Sequence, residues 1–370
     1  MKRKILVDLL NLATPEIAGV GAFARSLFEL WLEDKNLPYT IVFYASAAVD
    51  VEKVFRLKPS ANIQIRNVNA KNVLSRFLYQ QILLPFRLRK YDLYFNPTLG
   101  IPFLARIIAL NVKLVVTIHD MIPFFFPKKY SRLRGTLVKA MSLYAARAAH
   151  KVITVSQNSK NDIIALASVP HDKVTVVYNF ISPPYYLSNE ADNKFFLCIS
   201  TLEPGKNVEN TILGFAEFIR RTKAPYKFYW VGRVGWVYTQ EYVEQLVKKE
   251  NLENHFVLTG YVTEEKKKEL LRTCTAIVYL SHYEGFGLPV LEGMAYNKAA
   301  IVSNNSSLPE VVGEAGVVCD AVDIKSISEA LRDAVANRHD LEKKIPAQLA
   351  KFSPNVQIEL FNRTLQELLR

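Results

Sequence analysis

Cysteine is scarce. The three cysteines in 370 residues, Cys198, Cys274 and Cys319, sit inside apolar runs, evenly paired with nothing and at no metal-ligating spacing. That excludes a disulfide framework and leaves small buried hydrophobes in a reducing, cytoplasmic compartment. Long apolar runs are missing as well. No window approaches the roughly 18 uninterrupted apolar residues of a membrane-spanning helix. The most apolar stretch, Ile101 to Phe126, is broken by Arg106, Asn111, Lys113, His119 and Asp120. The basic start Lys2-Arg3-Lys4 leads into Ile5–Leu9, and with Asp8 and Asn11 interrupting, this reads as a first strand rather than a secretory signal. No short-period repeat, low-complexity tract or Asp-x-Asp pair occurs, and the six histidines lack metal spacing, so no metal is expected.

What is present is a chain long enough for two α/β domains of about 180 residues each. The formal charge of +12 is unevenly placed. Met1 to Tyr185 carries 25 Lys and Arg against 11 Asp and Glu, a balance of +14, while the remainder stands at −2. A basic half suits an anionic partner such as phospholipid, a lipid diphosphate or nucleic acid. The densest local feature runs Phe124-Phe125-Phe126-Pro127-Lys128-Lys129-Tyr130, followed by Arg132 and Arg134. Phe124, Phe125, Lys128, Lys129 and Arg132 can dock at a lipid interface, or form a partly buried aromatic loop with a solvated cationic rim.

Short β-branched runs alternate with amphipathic helical patterns from end to end. The strands read as Lys4–Leu9, Tyr39–Tyr44, Leu114–Ile118, Lys151–Val155 and Val174–Val177. A second series follows at Phe195–Ser200, Lys227–Val231, Phe256–Thr259, Ala276–Tyr279 and Ala300–Val302. Helical patterns such as Ala22–Glu33, Leu133–Ala149, Val208–Arg221, Tyr242–Glu250 and Glu264–Leu271 lie between them. Continuous apolar strands separated by such helices predict doubly wound parallel sheets with ligands at the carboxyl ends of the strands. Asn179 to Asn193, with Pro183-Pro184 and several polar residues, reads as a linker. The expected domains are 1–183, 191–352 and a final helix over 353–370.

Four groups of residues carry chemistry. Glu284-Gly285-Phe286-Gly287-Leu288-Pro289-Val290-Leu291-Glu292 follows the buried strand pattern Ala276–Leu280. Strand, glycine turn and a helix opened by Pro289 make an anion site from backbone amides. Glu284 and Glu292, on its two sides, suit sugar hydroxyls rather than phosphate. Lys206 leaves a strand end just before an Asn-capped helix and can reach a diphosphate as a mobile cation. Gly19-Val20-Gly21 opens another helix after the first strand, which Arg25 follows by one turn; alone it is also an ordinary turn. His119-Asp120 ends a central strand, where the histidine is either a satisfied structural residue or a ligand to a hydroxyl or phosphate.

The segment Glu284–Glu292 resembles the signature of the large retaining glycosyltransferase family called family 4, which has the GT-B fold. Ser303–Gly316, Thr201–Asn207 and Val231-Gly232-Arg233-Val234-Gly235-Trp236 are similar to its following strand–loop–helix, its phosphate-binding loop and a segment of its mannosyltransferase-like members. Gly19–Gly21, His119-Asp120 and Val155–Lys160 agree in the first half. The resemblance implies two Rossmann-like domains facing across a cleft, the first on the acceptor side and the second binding a nucleotide sugar, with the last helix crossing back and the domains closing.

It further implies a metal-independent, retaining hexosyltransferase in surface polysaccharide or lipopolysaccharide synthesis, with no cofactor. Mannose from GDP-mannose is the first expectation. A UDP-sugar or dTDP-rhamnose enzyme, a same-fold epimerase or phosphorylase, and a non-enzymatic membrane- or nucleic-acid-binding protein are the alternatives, though no recognised nucleic-acid motif is present. The acceptor would be a glycan or polyprenol-diphosphate-linked glycan at the inner face of the cytoplasmic membrane, with peripheral membrane association. His119, Lys206 and Glu284 take the catalytic roles. Gly19, Val20, Gly21, Arg233, Tyr261, Val262, Phe286, Gly287, Leu288 and Glu292 bind the donor. The family's usual arginine near the phosphate loop is replaced here by Ser200 and Thr201, which leaves Arg233 as its substitute or as a surface residue.

Overall fold

The computed structural model describes residues 2–12, 19–34, 37–126, 131–182, 185, 192–235 and 237–370. Lys128, Lys129, Trp236, the turn 14–18 and most of the predicted linker, including Pro183 and Pro184, lie outside the described residues. Two compact units form: Met1–Phe180 with Pro354–Arg370, and Ile181–Ser353.

The first unit holds seven strands: β1 (Arg3–Asp8), β2 (Tyr39–Ser46), β3 (Ile63–Val68), β4 (Leu93–Asn96), β5 (Lys113–Thr117), β6 (Lys151–Thr154) and β7 (Val174–Val176). All pair in parallel in the order β3-β2-β1-β4-β5-β6-β7. The second holds β8 (Phe195–Ile199), β9 (Lys227–Val231), β10 (Phe256–Gly260), β11 (Ala276–Tyr279), β12 (Ala300–Ser303) and β13 (Gly316–Cys319), also parallel, in the order β10-β9-β8-β11-β12-β13. Both are doubly wound. The strand order reverses between β1 and β4 in one sheet and between β8 and β11 in the other, and such reversals open a crevice at the carboxyl ends.

Strands β3, β4 and β13 were not among those expected from sequence. Strand β3 is an edge whose residues alternate into solvent, so its sequence, Ile-Gln-Ile-Arg-Asn-Val, lacks the apolar run of a covered strand. Strand β4, Leu-Tyr-Phe-Asn, has no β-branched residue, and β13 has only Val317-Val318 between a glycine and a cysteine.

Burial explains the rest. Strand β1 is buried from Ile5 to Asp8 and β5 from Leu114 to Thr117, as strands covered on both faces must be. The helix Pro354–Leu369 completes the core of the first unit. Phe361, fully buried, meets Trp31 edge-on at 5.0 Å and Phe95 at 5.2 Å, and Gln357 accepts a hydrogen bond from the Tyr178 amide. In the second unit Phe228 stacks on Phe256 at 5.0 Å, beside Phe215.

One helix of the first unit changes its winding. Val73–Leu78 is α-helical, Tyr79–Leu83 is a π turn in which the Leu84 amide donates to the Tyr79 carbonyl, and Leu84–Leu88 resumes the α form. Pro85 accounts for the break, since it has no N–H and its ring would strike the carbonyl four residues back. An Asn72–Ser75 capping box starts the helix.

Candidate active site

Lys206 is carried on a single 3-10 turn, Pro204–Lys206, directly after β8. The turn is fixed on two sides. Its Gly205 carbonyl accepts from the His282 amide beyond β11, and Asn207, which follows it at φ 57°, donates from Nδ2 to the Ala321 carbonyl at 2.6 Å. The Lys206 ammonium therefore ends at the β8/β11 reversal. Its Nζ lies 3.0 Å from the Tyr279 hydroxyl at the end of β11 and 2.5 Å from Glu284 Oε1. The side chains of Lys206 and Glu284 are 17% and 14% exposed, so the pair is largely withdrawn from water.

Burial works against the Lys206 charge, but attraction to Tyr279 and Glu284 outweighs it and holds the ammonium above the usual lysine range. Burial first, then the Glu284 charge, push the Tyr279 phenol up. At neutral pH the site holds a cation braced by a carboxylate and a neutral phenol. Among the described residues no three of His, Cys, Asp and Glu gather as a metal site.

Glu284 is set by the loop after β12. Ser306 Oγ accepts from the Glu284 amide at 3.0 Å, and the Ser307 hydroxyl donates to the carbonyls of Glu284 and Phe286. The chain then turns through Gly287 at φ 105°, where a Cβ would come within 2.6 Å of Leu308 Cδ2. The helix that follows is Leu288–Ala295, so it opens at Leu288 and Pro289 is its second residue rather than its first. In its first turn Pro289 has no N–H and the Val290 and Leu291 amides donate to the Gly287 carbonyl at 3.0 and 3.4 Å, which leaves the Leu288 amide toward a ligand. The Phe286 ring is not part of that surface: it is buried edge-on to Phe352 at 5.5 Å.

Glu292 stands apart from the Lys206–Glu284 pair in its bonding. Burial raises its pKa, Lys267 opposes that, and the two lie 3.5 Å apart. Arg233 leaves β9 with an exposed side chain, and its carbonyl accepts from Leu202 in the loop that leads to Lys206. Tyr261 and Val262 follow β10, Tyr261 being 81% exposed. Tyr279 and Lys267 were missed from sequence. The first reads as one more apolar strand residue, and the second sits in a Lys-rich helix, Glu264–Thr273, with no local sign of its partner.

In the first unit, Gly19 caps the helix Val20–Trp31 at φ 51°, with Val20 and Gly21 in its first turn. Arg25 is engaged with Glu29 on that helix at 3.2 Å. His119 follows β5; its Nε2 lies 3.0 Å from the Pro97 carbonyl and Phe23 meets its ring edge-on at 5.1 Å. Burial lowers its pKa to about 4, so the imidazole is neutral at pH 7 and, with a carbonyl at Nε2, carries its proton there. His119, Val20, Asn11 and Thr98 line one cavity. Of the predicted membrane-facing residues, Phe124 is turned inward against the core with Lys139 over its ring at 5.3 Å, whereas Phe125 and Arg132 are exposed.

Comparison with known proteins gives the same picture along both halves. The family model described as Glycosyl transferases group 1 matches residues 187–352, and that described as Glycosyltransferase Family 4 matches residues 25–183. The O-antigen chain mannosyltransferase B of Escherichia coli is 30% identical over 338 residues, covering 84% of this chain and 85% of that protein. The O-antigen chain mannosyltransferase RfbU of Salmonella typhimurium is 25% identical, covering 87% and 83%. The solved structure of Anabaena Alr3699/HepE in complex with UDP and glucose shares the fold, with a TM-score of 0.73 at 17% identity over 99% of this chain and 100% of that one.

Proposed function

This chain belongs to the group 1 glycosyltransferases of family 4, and from that premise we propose that it transfers mannose from GDP-mannose to a growing surface glycan with retention at the anomeric carbon. The observation that carries the reading is the Lys206 ammonium held between Tyr279 and Glu284 where β8 and β11 diverge, beside the helix start at Leu288. Breaking the donor's anomeric C–O bond sends its electron pair to the nucleoside diphosphate, and a fixed cation with the Leu288 amide stabilises that charge without reorganising. The acceptor oxygen bonds to the anomeric carbon on the face the phosphate leaves, and its proton passes to a phosphate oxygen. Glu284 and Glu292 accept hydrogen bonds from donor hydroxyls, Arg233 supplements Lys206, and Tyr261 and Val262 flank the base. Neutral His119, its Nε2 proton on the Pro97 carbonyl, can accept from a sugar hydroxyl at Nδ1 and has no proton for transfer. No metal or cofactor is required in this scheme, since Lys206 supplies the positive charge.

The donor is tested by melting the protein with GDP, UDP, dTDP and ADP, because a ligand that binds only the folded state raises the melting temperature. GDP should give the largest shift. A shift with UDP or dTDP alone would overturn GDP-mannose, and no shift with any of the four would count against a nucleotide-sugar enzyme.

A lipid-linked acceptor at a membrane is the second part of the proposal. Among the described residues no helix is long and apolar enough to cross a membrane. The first unit instead exposes large apolar side chains on neighbouring stretches of sequence: Val73, Leu74 and Phe86 on the π-bulged helix, Ile107, Leu110 and Leu133 beyond it. Between Lys53 and Asn161 the chain has 19 Lys and Arg against two acids. Of these, Asp92 is paired with Arg3 and Asp120 accepts from the Ile122 amide. Exposed apolar side chains in a stretch with such an excess of cations fit an anionic bilayer, where each basic residue near the surface is worth about 1 kcal/mol. Flotation with vesicles containing anionic phospholipid at low salt, and release as salt is raised, is the expected result. Failure to float at low salt would remove the membrane from the proposal.

A further inference from the structure

A second cavity of the first unit lies against the π turn. It lies where β1 and β4 part, the strand-order reversal of that sheet, and is lined by Asn11, Arg76, Phe77, Gln80, Gln81 and Tyr94. Its volume is about 250 Å³. Asn11 also lines the cavity that holds His119, so the two adjoin.

The floor is rigid. Asp8, wholly buried at the end of β1, accepts from the Leu10 amide at 3.0 Å, from Gln80 Nε2 at 2.9 Å and from the Tyr94 hydroxyl at 2.8 Å, and Asn96 Nδ2 donates to Tyr94. These bonds decide what the lining still offers. Gln80 gives one N–H to Asp8 and keeps its second N–H and its oxygen. Gln81 accepts from the Phe103 amide at 2.8 Å with one lone pair and keeps the other and its NH₂. Arg76 adds guanidinium donors and Asn11 one of each kind, while Phe77 gives an aromatic face. Val73, Arg76, Phe77, Gln80 and Gln81 follow the i, i+3, i+4, i+7, i+8 spacing of one helix face, and the two amides at its end lie in the π turn, a winding that recurs at functional sites.

Amide donors and acceptors side by side, with a guanidinium and an aromatic face, match vicinal sugar hydroxyls, each of which both donates and accepts. We propose that this cavity is a saccharide subsite for the acceptor, flanked by the π turn and read by Asn11, Arg76, Gln80 and Gln81. The inference rests on the glycosyltransferase reading and adds to it where the acceptor chain is held. Val73 and Phe77 line the cavity and are also among the exposed apolar residues, so the subsite opens on the face assigned to the bilayer.

Saturation-transfer NMR with a panel of methyl disaccharides (mannosyl, galactosyl, rhamnosyl and N-acetylglucosaminyl) tests it on the full chain. The wild type should show transfer to at least one of them, with affinity falling tenfold or more in the Arg76→Gln/Asn11→Ala variant. Both residues are outside the Asp8 network, so the variant should keep the wild-type melting temperature and nucleoside-diphosphate shift. No transfer to any disaccharide in the wild type, or undiminished binding in the variant, overturns the subsite. The nucleoside-diphosphate shift in the same samples shows separately whether the donor reading stands.

Discussion

Lys206→Ala should lower turnover on the order of a hundredfold, because a charge-assisted hydrogen bond to the leaving group is worth about 1.5–3 kcal/mol. The same change strips Glu284 of its cation while the carboxylate stays largely buried. Breaking a buried pair from one side costs about 3–5 kcal/mol, and the residual exposure of this pair puts the loss near the lower end. The two effects separate in the double variant Lys206→Ala/Glu284→Gln. Neutralising the orphaned carboxylate should restore much of the melting temperature and none of the turnover. Near-normal turnover in the single variant, measured below its melting temperature, would remove Lys206 from the chemistry and leave the pair as a structural one.

The second large effect is expected at Gly232. It follows β9 at φ 149°, and a Cβ there would stand 2.0 Å from the Ser200 carbonyl oxygen and 2.7 Å from its carbon. Both are backbone atoms, so no side chain can swing aside. Strands β8 and β9 are joined at this point by the Ser200 amide to the Val231 carbonyl, and Gly232 itself donates to Gly260. Gly232→Ala must therefore push the Ser200–Lys206 loop outward. Strain of this kind costs about 3 kcal/mol or more, which for a unit of this size is roughly 6–12 °C in melting temperature. A loop shifted by about 1 Å also misplaces Lys206, at a cost of about a hundredfold in rate. Calorimetry together with nucleoside-diphosphate titration checks both, and wild-type values in the two measurements would show that the loop yields freely.

The parts of this molecule that were legible in its sequence are those where one local pattern dictates one structure. Ile5–Val7 and Ile277–Val278 are apolar because both faces of their strands are covered, and the run is visible without any partner. Lys206, Glu284 and Gly287 were legible through a motif whose turn chemistry admits few alternatives. What stayed hidden depends on partners distant in sequence. Lys267 is one lysine among several until the fold brings it to Glu292, and Tyr279 is a strand aromatic until Lys206 arrives from 73 residues away. Phe124 belonged to an aromatic, cationic run that suggested a surface, yet its ring packs on the core. The π turn had Pro85 as its sole local sign, and a proline by itself announces a kink or a stop as readily as a change of winding.

Because Phe361 and Leu365 sit in the middle of the first unit's interior, that unit is not finished when its own seven strands have been made. On the ribosome its hydrophobic centre has to wait, open toward the Trp31 side, while the entire second unit is synthesised. Two consequences follow for anyone handling the gene. A cut after residue 180 yields a fragment with an uncovered aromatic hollow, prone to association. The native order of events also runs backwards: the later-made unit can close first, and the earlier one is sealed only once Pro354–Leu369 has been made.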